Sequence, residues 1–151
     1  PPGRATSTRK HPPTEMAGPH DTPEKAEAAF YDAFAQRNLE AMMLIWADDE
    51  RVGCVHPMGE LITGLRAIRE SWAGILHDSP ALAIRVELVM RVRRGPLAVH
   101  TVHEYLRSGD QEPRRPIVAT NVYLETEEGW RMIMHHASPL AVTVQTDTTL
   151  H

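Results

Sequence analysis

The stretch that decides the fold is IVATNVYLETEEGWRMIMHHASP, residues 117–139. Two segments in which apolar and polar side chains alternate flank a loop of two glutamates and a glycine, and this pattern predicts an antiparallel β-hairpin. A three-residue loop that ends with Gly129 in a left-handed conformation spares both glutamates a positive φ. We therefore predict that Thr126 pairs with Trp130 and that the later pairs follow the same register.

This register assigns each side chain of the hairpin to one of two faces. We expect one face to lie beneath helices, and the other, which is amphipathic, to form a homodimer interface. The predicted helix-facing side chains are Val118, Thr120, Val122, Leu124, Trp130, Met132, Met134 and His136. The predicted dimer-facing side chains are Asn121, Tyr123, Ile133 and His135.

The rest of the chain shows helical periodicity first and strand periodicity later. Thr22 and Asn38 are typical N-caps, and they predict helices that begin directly after them. The predicted helices are 23–37, 39–47 and one that starts at Leu65, and the predicted strands are 51–56, 60–63, 81–91, 97–107, 117–125 and 130–137. This order predicts an α+β fold with the helices on one face of a curved, mainly antiparallel sheet.

Length and composition divide the chain into one domain and two polar ends. The 151 residues fit a single globular domain, which we place at residues 22–139. Residues 1–21 are rich in proline and poor in large apolar side chains, so we expect a disordered extension, with residues 1–15 ahead of a natural start at Met16. Residues 140–151 are expected to form a polar tail.

The charge and cysteine content favour some classes of protein over others. The net charge of −4 and the scattered basic residues give no electrostatic footprint for nucleic acid. We find no apolar stretch near the roughly 20 residues that cross a bilayer, and no apolar core of a secretory signal. Cys54 is the single cysteine and has no partner for an internal disulfide. A cytoplasmic protein without membrane or nucleic-acid partners is therefore expected.

Several short motifs make the sequence resemble a known superfamily. The resemblance covers about residues 26–139, and its motifs are Asn38-Leu39-Glu40, Trp46-Ala47-Asp48-Asp49, His56-Pro57-Met58-Gly59, 64–70, 119–123, 129–131 and 135–139. With these motifs the chain resembles the NTF2-like superfamily, a cone-shaped, cystatin-like fold shared by ketosteroid isomerases, scytalone dehydratase, limonene epoxide hydrolase and SnoaL-type polyketide cyclases. The SnoaL-like branch matches best. The resemblance implies the fold but not one reaction, because this fold supports several activities.

The ketosteroid isomerase site maps only partly onto this chain. The position of its catalytic aspartate is His56 here, and the position of its oxyanion-donating tyrosine is Phe30. Its protonated aspartate corresponds to Thr120 or Asn121. Since one oxyanion donor is worth roughly 3 to 4 kcal/mol of barrier, the resemblance does not imply efficient steroid isomerisation. Tyr31 or Tyr105 could replace the missing tyrosine as hydroxyl donor.

His56 is the main catalytic candidate, because an imidazole titrates near neutrality and serves as a general acid or base without a large pKa shift. His136, interior in the predicted register, is expected to face or orient His56, and Thr120 to supply a hydroxyl beside it. The alternatives are a rim histidine bonded to a backbone carbonyl for His56 and a satisfied core histidine for His136.

The predicted ligand is a small apolar compound bound in an apolar pocket. The residues expected to line this pocket are Phe30, Tyr31, Trp46, Met58, Trp72, His103 and Met134. Large apolar residues of this kind are interpreted first as core. The polar trio Glu104, Asn121 and His135 is expected to form a buried network at the dimer interface, with a second ligand site as the alternative.

A metal site and a cofactor are not expected. Neighbouring histidines on a strand point to opposite faces, so only a long-range set such as His56, His103 and His136 could chelate. Two hypotheses about function follow. The first is general acid/base chemistry of the isomerase, lyase or cyclase type on a small carbonyl or polyketide-like compound. The second is a non-catalytic ligand-binding or dimeric scaffold module.

Overall fold

The computed structural model describes Gly18 and residues 20–141, in which three helices cover one face of a six-stranded sheet. The helices are α1 (Pro23–Ala35), α2 (Leu39–Ile45) and α3 (Leu65–Asp78), and the strands are β1 (Gly53–Val55), β2 (Ile62–Thr63), β3 (Leu82–Arg94), β4 (Leu97–Ser108), β5 (Ile117–Thr126) and β6 (Gly129–Pro139). The predicted α+β class and order of elements are confirmed. The disordered extension predicted for residues 1–21 and the polar tail predicted for residues 140–151 lie mostly outside the described residues.

The strand order is β2-β1-β6-β5-β4-β3. Neighbouring strands are antiparallel except β1 and β6, which run parallel. This pairing brings the end of β1 beside the second half of β6. His56, the residue that follows β1, therefore lies near His135 on the inner face of the sheet.

The helix starts follow from side-chain capping. Thr22 Oγ1 accepts from the Lys25 amide at 3.1 Å, and Asn38 Oδ1 accepts from the Ala41 amide at 3.0 Å. Each contact satisfies one of the amides that a helix start leaves without an intrahelical acceptor. The predicted N-caps are confirmed. Both helices end two residues earlier than predicted, at Ala35 and Ile45.

The core lies between the helices and the inner face of the sheet. Phe30 of α1 packs edge-on against Trp72 of α3, with ring centroids 5.5 Å apart. Phe30 also packs against His135 of β6, at 4.9 Å. The largest fully buried side chains are Trp72, Tyr123, Phe30, Met42, Ile45, Ile68, Met132, His100, His135, Val52, Val102 and Asn121. Apolar and polar side chains thus share this interior.

The register of the last hairpin differs from the prediction near the turn. Thr126 pairs with Gly129 and Tyr123 with Met132, one residue away from the predicted pairing. The predicted register returns at Val122, which pairs with Met134, because Ile133 is the extra residue of a β-bulge. A bulge depends on the packing of the whole sheet, so strand alternation alone did not predict it.

The predicted faces of the hairpin are wrong for most of its side chains. Asn121, Tyr123 and His135 are at most 2% exposed and face the helices. His136 is exposed, and Thr120 alternates with the inward side chains of β5. Val118, Val122, Leu124 and Met134 also lie on the outer face, whereas Trp130 and Met132 are buried as predicted. The apolar pattern misled the prediction because polar side chains of α1 satisfy the polar groups of the inner face.

The tight hairpin turn also holds the segment that precedes α1. The Trp130 amide donates to the His20 carbonyl at 2.7 Å, and Arg131 Nη1 donates to His20 Nε2 at 3.0 Å. Gly129 has a φ of 103°, and a Cβ added there would lie 2.6 Å from the His20 carbonyl oxygen. Glycine is thus required at this position for two reasons, its backbone conformation and this close contact.

We expect Gly129→Ala to lower the free energy of unfolding by more than the roughly 1 to 2 kcal/mol that a left-handed non-glycine residue costs. The matched control is Gly95→Ala, at a φ of 55° where nothing lies within 4 Å of an added Cβ. Urea unfolding of both variants measures the difference. Equal losses would contradict the packing of His20 against the turn.

Candidate functional site

A pocket of about 240 Å³ opens between α3, the inner face of the sheet and the β4–β5 loop. At about 30 Å³ per water molecule, it has room for on the order of eight waters. Its walls combine apolar rings with a few polar groups, as is typical of small-molecule sites. The lining residues are Phe34, His56, Pro57, Trp72, Ile75, Ser79, Leu82, Glu104, Leu106, Arg114, Arg115, Ile117 and His135.

His56 is held at the pocket by a turn and by α3. The Gly59 amide donates to the His56 carbonyl at 2.8 Å, with Met58 at a positive φ of 68° inside this turn. The imidazole packs edge-on against Trp72, with ring centroids 5.0 Å apart, and its Nε2 lies 3.0 Å from Ser71 Oγ. Backbone and side chain are therefore both fixed.

The contacts of Ser71 assign the tautomer of His56. Ser71 Oγ also lies 2.9 Å from the Ile68 carbonyl, which can only accept. When both contacts are hydrogen bonds, the single hydroxyl proton goes to Ile68, so His56 Nε2 must carry a proton and donate to Ser71. This leaves Nδ1 as the basic atom. Burial lowers the pKa of His56 below 6.5, so the ring is neutral at physiological pH.

Glu104 presents a buried carboxyl group to the same pocket. The side chain is 3% exposed, and its Oε2 accepts from the Tyr31 hydroxyl at 2.5 Å. Burial raises the pKa of Glu104 to about 7, and the charge of Glu27 acts in the same direction, whereas the Tyr31 hydrogen bond opposes the shift. The group is therefore divided between acid and carboxylate at neutral pH, the condition in which a residue can both accept and return a proton.

A chain of hydrogen bonds connects Glu104 to His135. Tyr31 donates to Glu104, Asn121 Nδ2 donates to the Tyr31 hydroxyl at 3.0 Å, and Asn121 Oδ1 lies 2.6 Å from His135 Nδ1. Because an amide oxygen only accepts, His135 Nδ1 carries the proton and its Nε2 is the unprotonated atom. Burial lowers the pKa of His135 to about 3, so this ring stays neutral.

Glu27 of α1 anchors the other end of this polar cluster. Its Oε2 accepts from Tyr123 at 3.1 Å and from Asn121 Nδ2 at 3.3 Å, and it lies 3.0 Å from His100 Nδ1. Glu27 and Tyr31 stand four residues apart and so project from the same side of the helix. Helix α1 thus supplies two side chains, Glu27 and Tyr31, that hydrogen-bond to polar side chains of the sheet.

The structure brings some of the predicted site residues together and separates others. His56 and Trp72 line the pocket, as do Glu104 and His135 of the predicted polar trio. Phe30, Tyr31 and Trp46 are buried. The other predicted site residues do not line this pocket. Met58 is 90% exposed. The remaining four lie on the outer face of the sheet or at its surface: His103, Thr120, Met134 and His136.

Four predicted placements therefore need correction. His136 does not face His56 across the pocket. Thr120 does pair with His136 as predicted, but both stand on the outer face, because the inner face carries the odd-numbered residues of β5. The polar trio Glu104, Asn121 and His135 does form, but on the inner face beneath α1 instead of the outer face. The predicted interior placement of Met134 is likewise wrong, since its side chain lies on the outer face.

Sequence reasoning placed Glu104 and His135 at a dimer interface, with a second ligand site as the alternative, and it missed Glu27, Arg114 and Arg115 altogether. The spacing of Glu27, Phe30 and Tyr31 was the available signal, since a glutamate on the apolar stripe of a helix needs buried partners. Within residues 20–141, the structure contains no group of three or more His, Cys, Asp or Glu side chains that could hold a metal ion. In that same part of the chain, every helix is too short or too polar to cross a membrane.

Comparison with known proteins identifies the family. Residues 24–143 match the family model of the SnoaL-like domain. The chain belongs to the SnoaL-like domain family. This assignment agrees with the α+β architecture of three helices on a six-stranded sheet and with the predicted NTF2-like superfamily.

Two solved structures resemble this SnoaL-like domain along most of its length. One, from Thiobacillus denitrificans, is assigned as a calcium/calmodulin-dependent protein kinase type II association domain; it is 41% identical with a TM-score of 0.78, over 81% of this chain and 98% of the other. The second, from Streptomyces avermitilis, is assigned as a dehydratase of the NTF2-like family; it is 30% identical with a TM-score of 0.70, over 78% and 92% of the two chains.

A curated relative is the F-box protein SKIP8 of Arabidopsis thaliana, 27% identical over 116 residues, which are 77% of this chain and 48% of the relative. The SnoaL-like chain thus spans about half the length of the curated relative that it matches.

The raised pKa of Glu104 makes a prediction about stability. Between pH 4.5, its ordinary pKa, and about 7, the folded state holds a proton that the unfolded chain has released, so this group makes stability fall as the pH rises. Glu104→Gln keeps an acceptor for Tyr31 but removes the titration. As the pH rises from 5 to 8, we expect the free energy of unfolding of the variant to increase relative to that of the wild type by up to about 3 kcal/mol.

Urea unfolding across this pH range measures that gain, and Glu112→Gln in the exposed β4–β5 loop is the matched control. A difference between Glu104→Gln and wild type that does not change with pH would contradict the raised pKa.

Proposed function

We propose that this SnoaL-like domain is an acid/base enzyme of the isomerase, lyase or cyclase type that needs no cofactor and acts on a small, largely apolar carbonyl compound. One observation carries this proposal. Glu104 is a buried carboxyl group on the wall of an apolar pocket, fixed by Tyr31, with a pKa of about 7. The carboxylate form of such a group is a stronger base than an ordinary carboxylate, and near neutral pH its protonated form is also present to return the proton.

The proposed step is proton transfer next to a carbonyl. The Glu104 carboxylate takes a proton from carbon, and the electron pair of the broken C–H bond moves into the substrate to give an enolate. The protonated Glu104 then returns the proton to another carbon, which completes an isomerisation without an oxidant or reductant. Tyr31 is the positioning residue for Glu104, because its hydroxyl holds the carboxyl group in place.

His56 is the second acid/base group in this proposal. The order of strands separates β1 from β4 by two strands, so His56 and Glu104 approach a bound ligand from different sides. Neutral His56 with a free Nδ1 is suited to accept a proton. Its lowered pKa and the raised pKa of Glu104 make the two groups distinguishable by kinetics.

Base catalysis can be tested without the natural substrate. Nitrobenzisoxazole is a small, flat apolar compound that opens to a coloured phenolate when a base removes its ring proton. We expect turnover that rises with pH through about 7, the pKa of ionising Glu104. Glu104→Gln should lower kcat/KM by roughly 10²-fold, the lower range for a lost acid/base group.

The controls separate the two candidate bases. A rate that instead rises at a pH below 6.5 and is lost in His56→Gln would assign the base to His56. Glu112→Gln, on the exposed loop, should leave the rate unchanged. Turnover that is insensitive to both Glu104→Gln and His56→Gln would contradict the proposed acid/base function.

A second candidate function is a non-catalytic association module. It is favoured by the 41% identity to the Thiobacillus denitrificans protein, which is assigned as an association domain. The outer face of the sheet has a suitable surface: Val99, Val122 and Met134 lie side by side across three strands and are half-buried. We propose this face as the homodimer interface, with the pocket left open on the other side of the sheet.

Val122→Arg tests this interface. A buried charge without a partner costs far more than an exposed one, so the variant should sediment as a monomer at concentrations where the wild type is a dimer. Leu44→Arg on α2, where Leu44 is 63% exposed, is the matched control and should sediment like the wild type. A wild type that is monomeric in analytical ultracentrifugation, or a dimeric Val122→Arg, would contradict the proposed interface.

A further inference from the structure

Two arginines stand at the open side of the pocket. Arg114 and Arg115 belong to the loop between β4 and β5, both are exposed, and both line the cavity that contains Glu104 and His135. The deep wall is formed by buried groups, whereas the arginines lie where solvent enters. The pocket therefore has a weakly acidic interior and a cationic mouth.

The loop that carries these arginines is fixed at three points. The Arg114 amide donates to the Leu106 carbonyl at 3.0 Å, and Arg115 Nε donates to the Leu140 carbonyl at 3.0 Å. The Leu140 amide donates in turn to the Pro116 carbonyl at 2.8 Å. The segment after β6 thus closes against the loop, and the two arginine positions are set by the fold.

The hydrogen-bond partners of the two arginine side chains are neutral. Arg114 Nη2 donates to Ser108 Oγ at 3.4 Å, and Arg115 Nε donates to the Leu140 carbonyl. Within the described part of the chain, neither guanidinium forms an ion pair, in contrast to Arg69 with Glu40 and Arg91 with Glu24, each at 3.0 Å. A guanidinium has five donors in a planar fork that fits an oxyanion, and residues 20–141 use only one donor of each of these two arginines.

We propose that the ligand of this pocket carries an oxyanion, a carboxylate or phosphate, bound at the mouth by Arg114 and Arg115, with its apolar part inserted against Trp72 and Phe34. This inference rests on the proposed function and names its substrate class: a small amphipathic acid whose reactive carbon reaches Glu104. The charged end stays near solvent, where its desolvation is least costly, and only the apolar end enters the interior.

The size of the cavity supports this class of ligand. A volume of about 240 Å³ is below the roughly 300 to 1,000 Å³ that holds a drug-sized molecule, so the enclosed part suits one ring or a short chain. The polar end of such a ligand then extends to the mouth. A fixed charge at the mouth orients the ligand in one direction, which is what proton transfer at a single carbon requires.

Matched probes that differ in charge test the proposal. Benzoate, phenyl phosphate and benzamide share one ring, and their affinities are measured by NMR titration of the full chain. We expect at least one anion to bind roughly tenfold more tightly than benzamide, as one charge-assisted contact allows. Arg114→Gln/Arg115→Gln should bring this ratio toward one. Arg94→Gln, an exposed arginine in the β3–β4 hairpin outside the cavity lining, should preserve it.

The outcomes separate this inference from the proposed function. The preferred anion identifies the ligand group as carboxylate or phosphate. Equal affinity for anion and amide, or an anion preference that survives in the double arginine variant, overturns the oxyanion site. When nitrobenzisoxazole is still turned over in a Glu104-dependent way, such a result leaves the acid/base function standing. When turnover is also insensitive to Glu104→Gln and His56→Gln, both proposals fail.

Discussion

The structure depends on the satisfaction of buried polar groups by helix α1. Glu27 and Tyr31 accept and donate hydrogen bonds that would otherwise be missing from Asn121, Tyr123 and Glu104 on the sheet. An unpaired buried polar group costs roughly 1 to 3 kcal/mol, and a charged one costs more. The helix is therefore fixed against the sheet by specific contacts as well as by apolar packing.

The same constraint produces the chemistry of the pocket. A carboxyl group in an apolar wall would normally be expelled to water or paired with a cation. Glu104 instead has one hydrogen bond, from Tyr31, and this partial compensation leaves its pKa at about 7 and not at either extreme. A structural network and a candidate acid/base group are thus two ends of one hydrogen-bond chain.

Prediction from the sequence succeeded where the signal was local and failed where it depended on packing. The N-caps Thr22 and Asn38 fixed the helix starts through their own side chains. The hairpin register was right beyond the bulge at Ile133 and wrong before it. The outer and inner faces were exchanged because apolarity was used to choose the buried side, although α1 makes a polar inner face stable.

The sequence by itself determined the fold class, the order of elements, the family and the location of His56 after the first strand. These features follow from periodicity, capping and short motifs, which act over a few residues. Only the tertiary structure decided that Glu104 and His135 line the pocket, that His136 does not, and that two loop arginines stand at its mouth. Those placements depend on strand register and on contacts between distant segments, which single-residue patterns do not encode.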